Sequence, residues 1–205
     1  MIPKLKRKIR LEYNYLSVLP FDEINVISTK KYTEDLFKRL LEFNKKEYLK
    51  IIKSSIMYAE RILGEHKKSY KAIKEEDFLE YVLSSYNNVT CYLYEKEAQR
   101  KRLRLVEELL TAKEFLNRDI FSKSLKRSAN LWFTQSLQYG IDATDKTVLE
   151  VYKRNGVKKV VWVSEKDEKV CHKCKNLDGK VFDIDKLPIK AHYNCRCYFM
   201  PVIEA

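Results

Sequence analysis

Apolar residues recur at a helical period from Leu36 onward. Leu36, Leu40 and Phe43 open a stripe that Tyr48, Ile52, Ser55, Ala59 and Ile62 continue. Thr33, with Glu34 and Asp35 behind it, predicts the start of this helix: a hydroxyl to cap free N–H groups, and acids in the electropositive first turn. Gly64 predicts its end. Two more stripes follow, Phe78, Val82, Tyr86, Val89 and Leu93, then Leu103, Val106, Leu110, Leu116 and Ile120. Neither Gly nor Pro occurs between Gly64 and Gly140, which favours long helices. Such stripes read as the buried faces of a helical bundle; a partner-binding surface is the other use of the same pattern.

Ala129 to Tyr139 predicts one more helix, carrying Trp132 and Leu137 and ended by Gly140. Thr144-Asp145 then caps a short helix through Val148, Val151 and Tyr152, which Asn155-Gly156 terminates. From there the period changes. Val157 to Val163 is β-branched and aromatic and predicts a strand; Val181 to Ile184 predicts a second, after a turn at Asp178-Gly179; Tyr198 to Val202 predicts a third. The fold class expected is α+β, a mainly α-helical N-terminal part followed by a small β-rich, zinc-knuckle-like C-terminal part. The expected domains are 1–140, with a basic arm at its start, and 141–205. No internal repeat or low-complexity tract appears.

Composition adds one directional statement. Of the 205 residues, 41 are Lys or Arg and 29 are Asp or Glu, a formal charge of +12 that suits an acidic partner such as nucleic acid. Solvated lysine-rich helix faces are the plainer explanation of the same number. Arg100, Lys101, Arg102 and Arg104 form the densest basic cluster and are the candidate phosphate contacts, although no aromatic residues interleave them and Glu107 and Glu108 stand beside them. No apolar run of membrane-spanning length exists. The N-terminus, Met1 to Arg10, is basic but lacks the apolar core of a signal peptide, so a reducing compartment is expected.

The chemistry is concentrated late in the chain. Cys171-His-Lys-Cys174 and His192-Tyr-Asn-Cys195-Arg-Cys197 hold four of the five cysteines and two of the three histidines. The spacing C-x2-C-x17-H-x2-C-x-C offers two chelating pairs, the second brought back to the first by a hairpin, as a closed tetrahedral zinc site requires. The candidate ligands are four of Cys171, Cys174, His192, Cys195 and Cys197. Disulfides between the pairs, or idle buried thiols, are the alternatives. The sequence carries no phosphate-binding Gly loop, no G-x-S-x-G and no H-E-x-x-H. His66 reads as a surface residue and His172 as replaceable, so a ββα-metal nuclease lacks its histidines, and no enzyme is expected.

The residues around the cysteines carry a resemblance. Val160-Val-Trp162-Val-Ser164 leads through Asp167-Glu168 to Cys171, then Leu177-Asp178-Gly179-Lys180-Val181-Phe182, Pro188, His192-Tyr-Asn194-Cys195-Arg196-Cys197 and Pro201-Val202. This run, from roughly residue 125 to 203, resembles the C-terminal domain of the phage head morphogenesis family, the Mu F-like minor head proteins. The family's closing motif is His-Pro-Asn-Cys-Arg-Cys; here Tyr193 replaces the proline. The resemblance implies a non-enzymatic minor head protein of the virion, made in the host cytoplasm and bound to the portal inside the capsid near packaged DNA. The partners implied are the portal protein, scaffold or major capsid protein, and DNA without sequence preference; no membrane is involved. A zinc-knuckle nucleic-acid-binding protein without a virion role is the alternative.

Overall fold

The computed structural model describes residues 4, 7, 8, 10, 11, 14, 26–66, 71–72, 118–192 and 194–203. Two long helices come first, α1 (Val26–His66) and α2 (Arg118–Arg154). After them come strand β1 (Lys159–Val163), the short helix α3 (His172–Leu177) and strands β2 (Val181–Asp183) and β3 (Tyr198–Val202). The architecture is α+β, with helices N-terminal and a small three-stranded antiparallel sheet at the C-terminus. The expected helix over 78–93 and the expected helix over 103–120 as far as residue 117 lie outside the described residues, Ile120 falling in α2, and the side chains of Leu36, Leu40 and Trp132 lie outside them too.

Both long helices run through their expected stops. Thr33 sits inside α1, because nothing from Val26 to Tyr32 is a helix breaker; a cap sequence permits a start and does not compel one. Gly64 is likewise inside α1, which ends two residues later at His66. Gly140 is buried within α2, which is one helix where the sequence suggested two. Thr144, expected as an N-cap, turns its hydroxyl back to the carbonyl of Gly140 at 3.0 Å, the bond a mid-helix threonine makes. A glycine costs a helix about 1 kcal/mol, and such a cost is outweighed where neighbouring turns bury apolar surface.

The end of α2 follows the sequence. Gly156 adopts φ +77°, its N–H bonds the carbonyl of Lys153 (2.9 Å), and the Val157 N–H bonds that of Tyr152 (3.0 Å). This pair of bonds closes a helix with a left-handed residue, and buried Val157 joins Tyr152 in the core. Asn155 fixes the corner further: its Oδ1 accepts from the Lys71 N–H at 2.7 Å and its Nδ2 donates to the Val151 carbonyl at 3.0 Å.

The chain divides into two compact units, Met1–Glu47 with Tyr86–Leu137, and Tyr48–Ser85 with Gln138–Ala205. The second holds the sheet. Its strand order is β2-β1-β3, with Val160 opposite Phe182 on one side and Trp162 opposite Phe199 on the other. The most apolar strand thus takes the centre. The x17 segment between the cysteine pairs is therefore not a hairpin of its own; its one strand, β2, pairs with β1 upstream. Residues Ile52, Ile56, Ala59, Ile62 and Leu63 of α1 share one core with Val148, Val151 and Tyr152 of α2 and with Val160, Trp162 and Phe199 of the sheet. The stripe expected to line a helical bundle closes instead over a sheet. Trp162 is fully buried and meets Phe199 edge to face, with ring centroids 5.3 Å apart.

Candidate metal centre

Each half of the cysteine cluster is placed by local chemistry. Where β1 ends, the Asp178 carboxylate accepts the Ser164 N–H at 2.7 Å, and Gly179 (φ +73°) donates its N–H to the Trp162 carbonyl at 2.9 Å. That bond to Ser164 holds the Asp178 carboxyl below its ordinary range. The Leu177-Asp178-Gly179 run is thus the clip that returns the chain to the sheet. Ahead of the first pair, Asp167 caps its own turn by accepting from the Lys169 N–H at 3.0 Å.

Cys171 then serves as the N-cap of α3. Its sulfur accepts the Cys174 N–H at 3.4 Å, while its carbonyl accepts that of Lys175 at 3.0 Å. This bond to Cys174 draws the Cys171 thiol below its ordinary pKa, with smaller help from His192. Burial pushes Cys174 and Cys197 the other way, which disfavours a bare thiolate there and favours one neutralised by a cation.

The second half is latched from outside the cluster. Asn194 stands at φ +58°, the left-handed conformation asparagine tolerates, and its N–H reaches Gln138 Oε1 on α2 at 2.6 Å. Gln138 is itself held by Asp142 Oδ1 at 2.8 Å. Lys190 Nζ forms an ion pair with Asp145 Oδ2 (2.5 Å) and donates to the Cys197 carbonyl (2.6 Å). The two halves are also braced to each other: Arg196 grips Asp167 with both guanidinium nitrogens, at 2.6 and 2.8 Å. These latches are not visible as ligand-type residues; Asp167, Asn194 and Arg196 belong to the motif, whereas Gln138, Asp145 and Lys190 do not.

The five candidate ligands fall into two overlapping groups. Cys171, Cys174 and His192 form one group whose donor atoms lie within 4.8 Å of one another, and Cys174, Cys195 and Cys197 form a second. Cys174 belongs to both. Its sulfur lies 3.6 Å from Cys195 Sγ and 3.8 Å from His192 Nε2. A disulfide needs about 2.05 Å, and the four sulfurs are unbridged. A tetrahedral site with metal–sulfur bonds of about 2.3 Å has ligand–ligand edges of about 3.8 Å, so these two separations from Cys174 suit a shared metal ion. The soft, mostly buried donor set fits as well.

His172 is exposed on α3, with Asn176 Nδ2 3.3 Å from its Nδ1, and His66 closes α1 at the surface. Arg100, Lys101, Arg102 and Arg104 lie outside the described residues. Among the described residues no helix is long and apolar enough to cross a membrane.

Residues 110–200 match the model of the family described as Phage Mu protein F like protein, in line with the head morphogenesis resemblance carried by the motifs above. No curated protein and no solved structure matches the chain.

Proposed function

We propose, from the match of residues 110–200 to the Phage Mu protein F like family, that this chain is a phage head protein of the minor, non-enzymatic kind. It acts in head morphogenesis, bound to the portal inside the capsid and close to packaged DNA. The family match carries this reading; the charge of +12 supports the nearness to DNA. The 141–205 segment is the Mu F-like module in this reading, and residues 1–140 supply the contacts with other head proteins.

The cysteine centre takes one Zn2+, and its work is structural. Four of Cys171, Cys174, His192, Cys195 and Cys197 would hold the ion. When bound, zinc supplies a closed cross-link between the two loops. The residues around it do the rest. Cys171 orients the start of α3, Arg196 and Asp167 brace one loop against the other, and Gln138 and Lys190 hold the second loop in register.

The test is to pull down portal protein with the full-length chain while measuring zinc per chain by native mass spectrometry. Portal capture with one zinc supports the reading; zinc without portal capture overturns the head role. A second reading, a zinc-bearing nucleic-acid-binding protein without a virion role, draws on exposed Lys166, Lys169, Lys173 and Lys175 around the first pair. It calls for tight, salt-dependent binding of duplex DNA with no portal capture.

A further inference from the structure

The two triads that share Cys174 leave open which four donors would hold the ion, and burial separates them. Cys174 and Cys195 are 1% exposed, Cys197 is 5% exposed and Cys171 is half-buried, whereas His192 is exposed. A closed structural site keeps its donors away from water. A second observation comes from β1. Trp162 has no exposed surface, yet its indole Nε1 has no hydrogen-bond partner. Buried indole N–H groups normally find one. Register says what faces it. Trp162 stands opposite Phe199, and Cys197 lies two residues before Phe199, so the pleat puts Cys197 on the same face, diagonal to the indole. Both belong to the same core.

We propose that the ion is held by Cys171, Cys174, Cys195 and Cys197, an all-sulfur centre, with the Trp162 N–H donating to the Cys197 sulfur and His192 off the metal. This rests on the metal reading above and adds the choice of donors. A thiol is a weak acceptor; a metal-bound thiolate is a strong one, so ligation by Cys197 gives the indole the partner it lacks. His192 Nε2, 3.8 Å from Cys174 Sγ, is placed to donate to that thiolate from the solvent side. Four thiolates on a divalent ion leave two negative charges, and Lys173 and Lys175, flanking Cys174, supply the cations.

The experiment uses the full-length chain loaded with zinc for X-ray absorption and with Co2+ for optical spectra. Zinc absorption should fit four sulfurs, and His192→Ala should keep one metal per chain with an unchanged cobalt d–d envelope. Cys197→Ser should lose tight binding. Trp162→Phe should weaken the metal by about 10- to 100-fold with helical circular dichroism retained, the loss typical of an outer partner of a ligand. Three sulfurs and one nitrogen in the wild-type absorption, or a cobalt spectrum altered by His192→Ala, overturns this inference and leaves the metal reading standing. A wild-type chain that takes up no metal overturns both. The absorption result needs no variant, so a Cys197→Ser chain that fails to fold does not blur the outcome.

Discussion

Residues 48–63 of α1 and residues 165–197 line the same core, but by different means. The helix brings Tyr48, Ile52, Ile56, Ala59, Ile62 and Leu63, all buried, on an element whose backbone bonds are satisfied internally. Among the described residues of 165–197 the buried apolar or sulfur side chains are Cys174, Ile184, Cys195 and Cys197, so three of four are thiols. The rest of that segment is tied by polar clips: Asp178 to Ser164, Arg196 to Asp167, Lys190 to Asp145. Apolar burial holds the helix with no outside help. A segment that buries sulfur in place of hydrocarbon depends on what the sulfur holds.

The largest effect should therefore come from breaking the thiol side alone. Cys174 is common to both groups of donors, so Cys174→Ser should abolish stoichiometric zinc and forfeit a binding free energy of about 10–16 kcal/mol. Hydrogen exchange should show 165–197 losing protection while β1 and the two helices keep theirs, because Val160 and Trp162 remain in one core with Ile52 and Val151. Equal protection everywhere after metal removal would erase the contrast between the regions.

The converse test attacks the helix. Ile52 has no exposed surface, and Ile52→Ala should cost about 2–5 kcal/mol, as emptied core sites do. Loss of protection in this variant should reach both helices and the sheet together. If only the loops loosen, the core is less shared than the packing indicates.

The same contrast governs what could be read from the sequence. The Tyr48, Ile52, Ser55, Ala59, Ile62 stripe was legible because helical periodicity is local, and every one of these residues is buried. What covers the stripe was not legible, since pairing it with β1 spans about a hundred residues and no local pattern encodes it. The stops at Gly64 and Gly140 failed because propensity terms of about 1 kcal/mol yield to packing. Asn155-Gly156 succeeded because there the left-handed φ and two chain-reversing bonds coincide. The five donors were legible by type and spacing. Their latches were not: Gln138 and Asp145 look like ordinary polar helix residues until the loop folds onto them.

A pH series sharpens the comparison at the latch between α2 and the second loop. Burial, opposed in part by Lys190, raises the Asp145 carboxyl from 3.8 to about 6. A carboxyl raised by folding favours the native state when protonated. That contribution is complete below about pH 3.8 and is lost as pH rises through about 6, a span worth about 3 kcal/mol. Wild type should therefore gain stability over Asp145→Asn as pH falls from 7 to 4, measured by denaturant melts at saturating zinc. Ligand protonation affects both chains alike and drops out of the difference. A flat difference would mean that the pair is effectively solvated.

The smallest effect compares two glycines in like conformations on opposite sides of the contrast. Gly156 (φ +77°) closes α2, and Gly179 (φ +73°) closes the clip that follows α3. A Cβ at either position would meet nothing within 4 Å, so alanine brings backbone strain and no clash. The left-handed conformation costs an alanine about 1 kcal/mol, and at Gly156 the helix end and the Asn155 corner give the chain no way to relax. Gly156→Ala should show that loss with or without metal. Gly179→Ala should show it only while the thiols are loaded, because loops freed of the ion can redistribute the turn. Denaturant midpoints of the two variants, each with zinc and with chelator, give four numbers to compare. If Gly179→Ala costs as much without metal as with it, the clip is rigid in its own right, and Asp178 rather than the ion sets the shape of that loop.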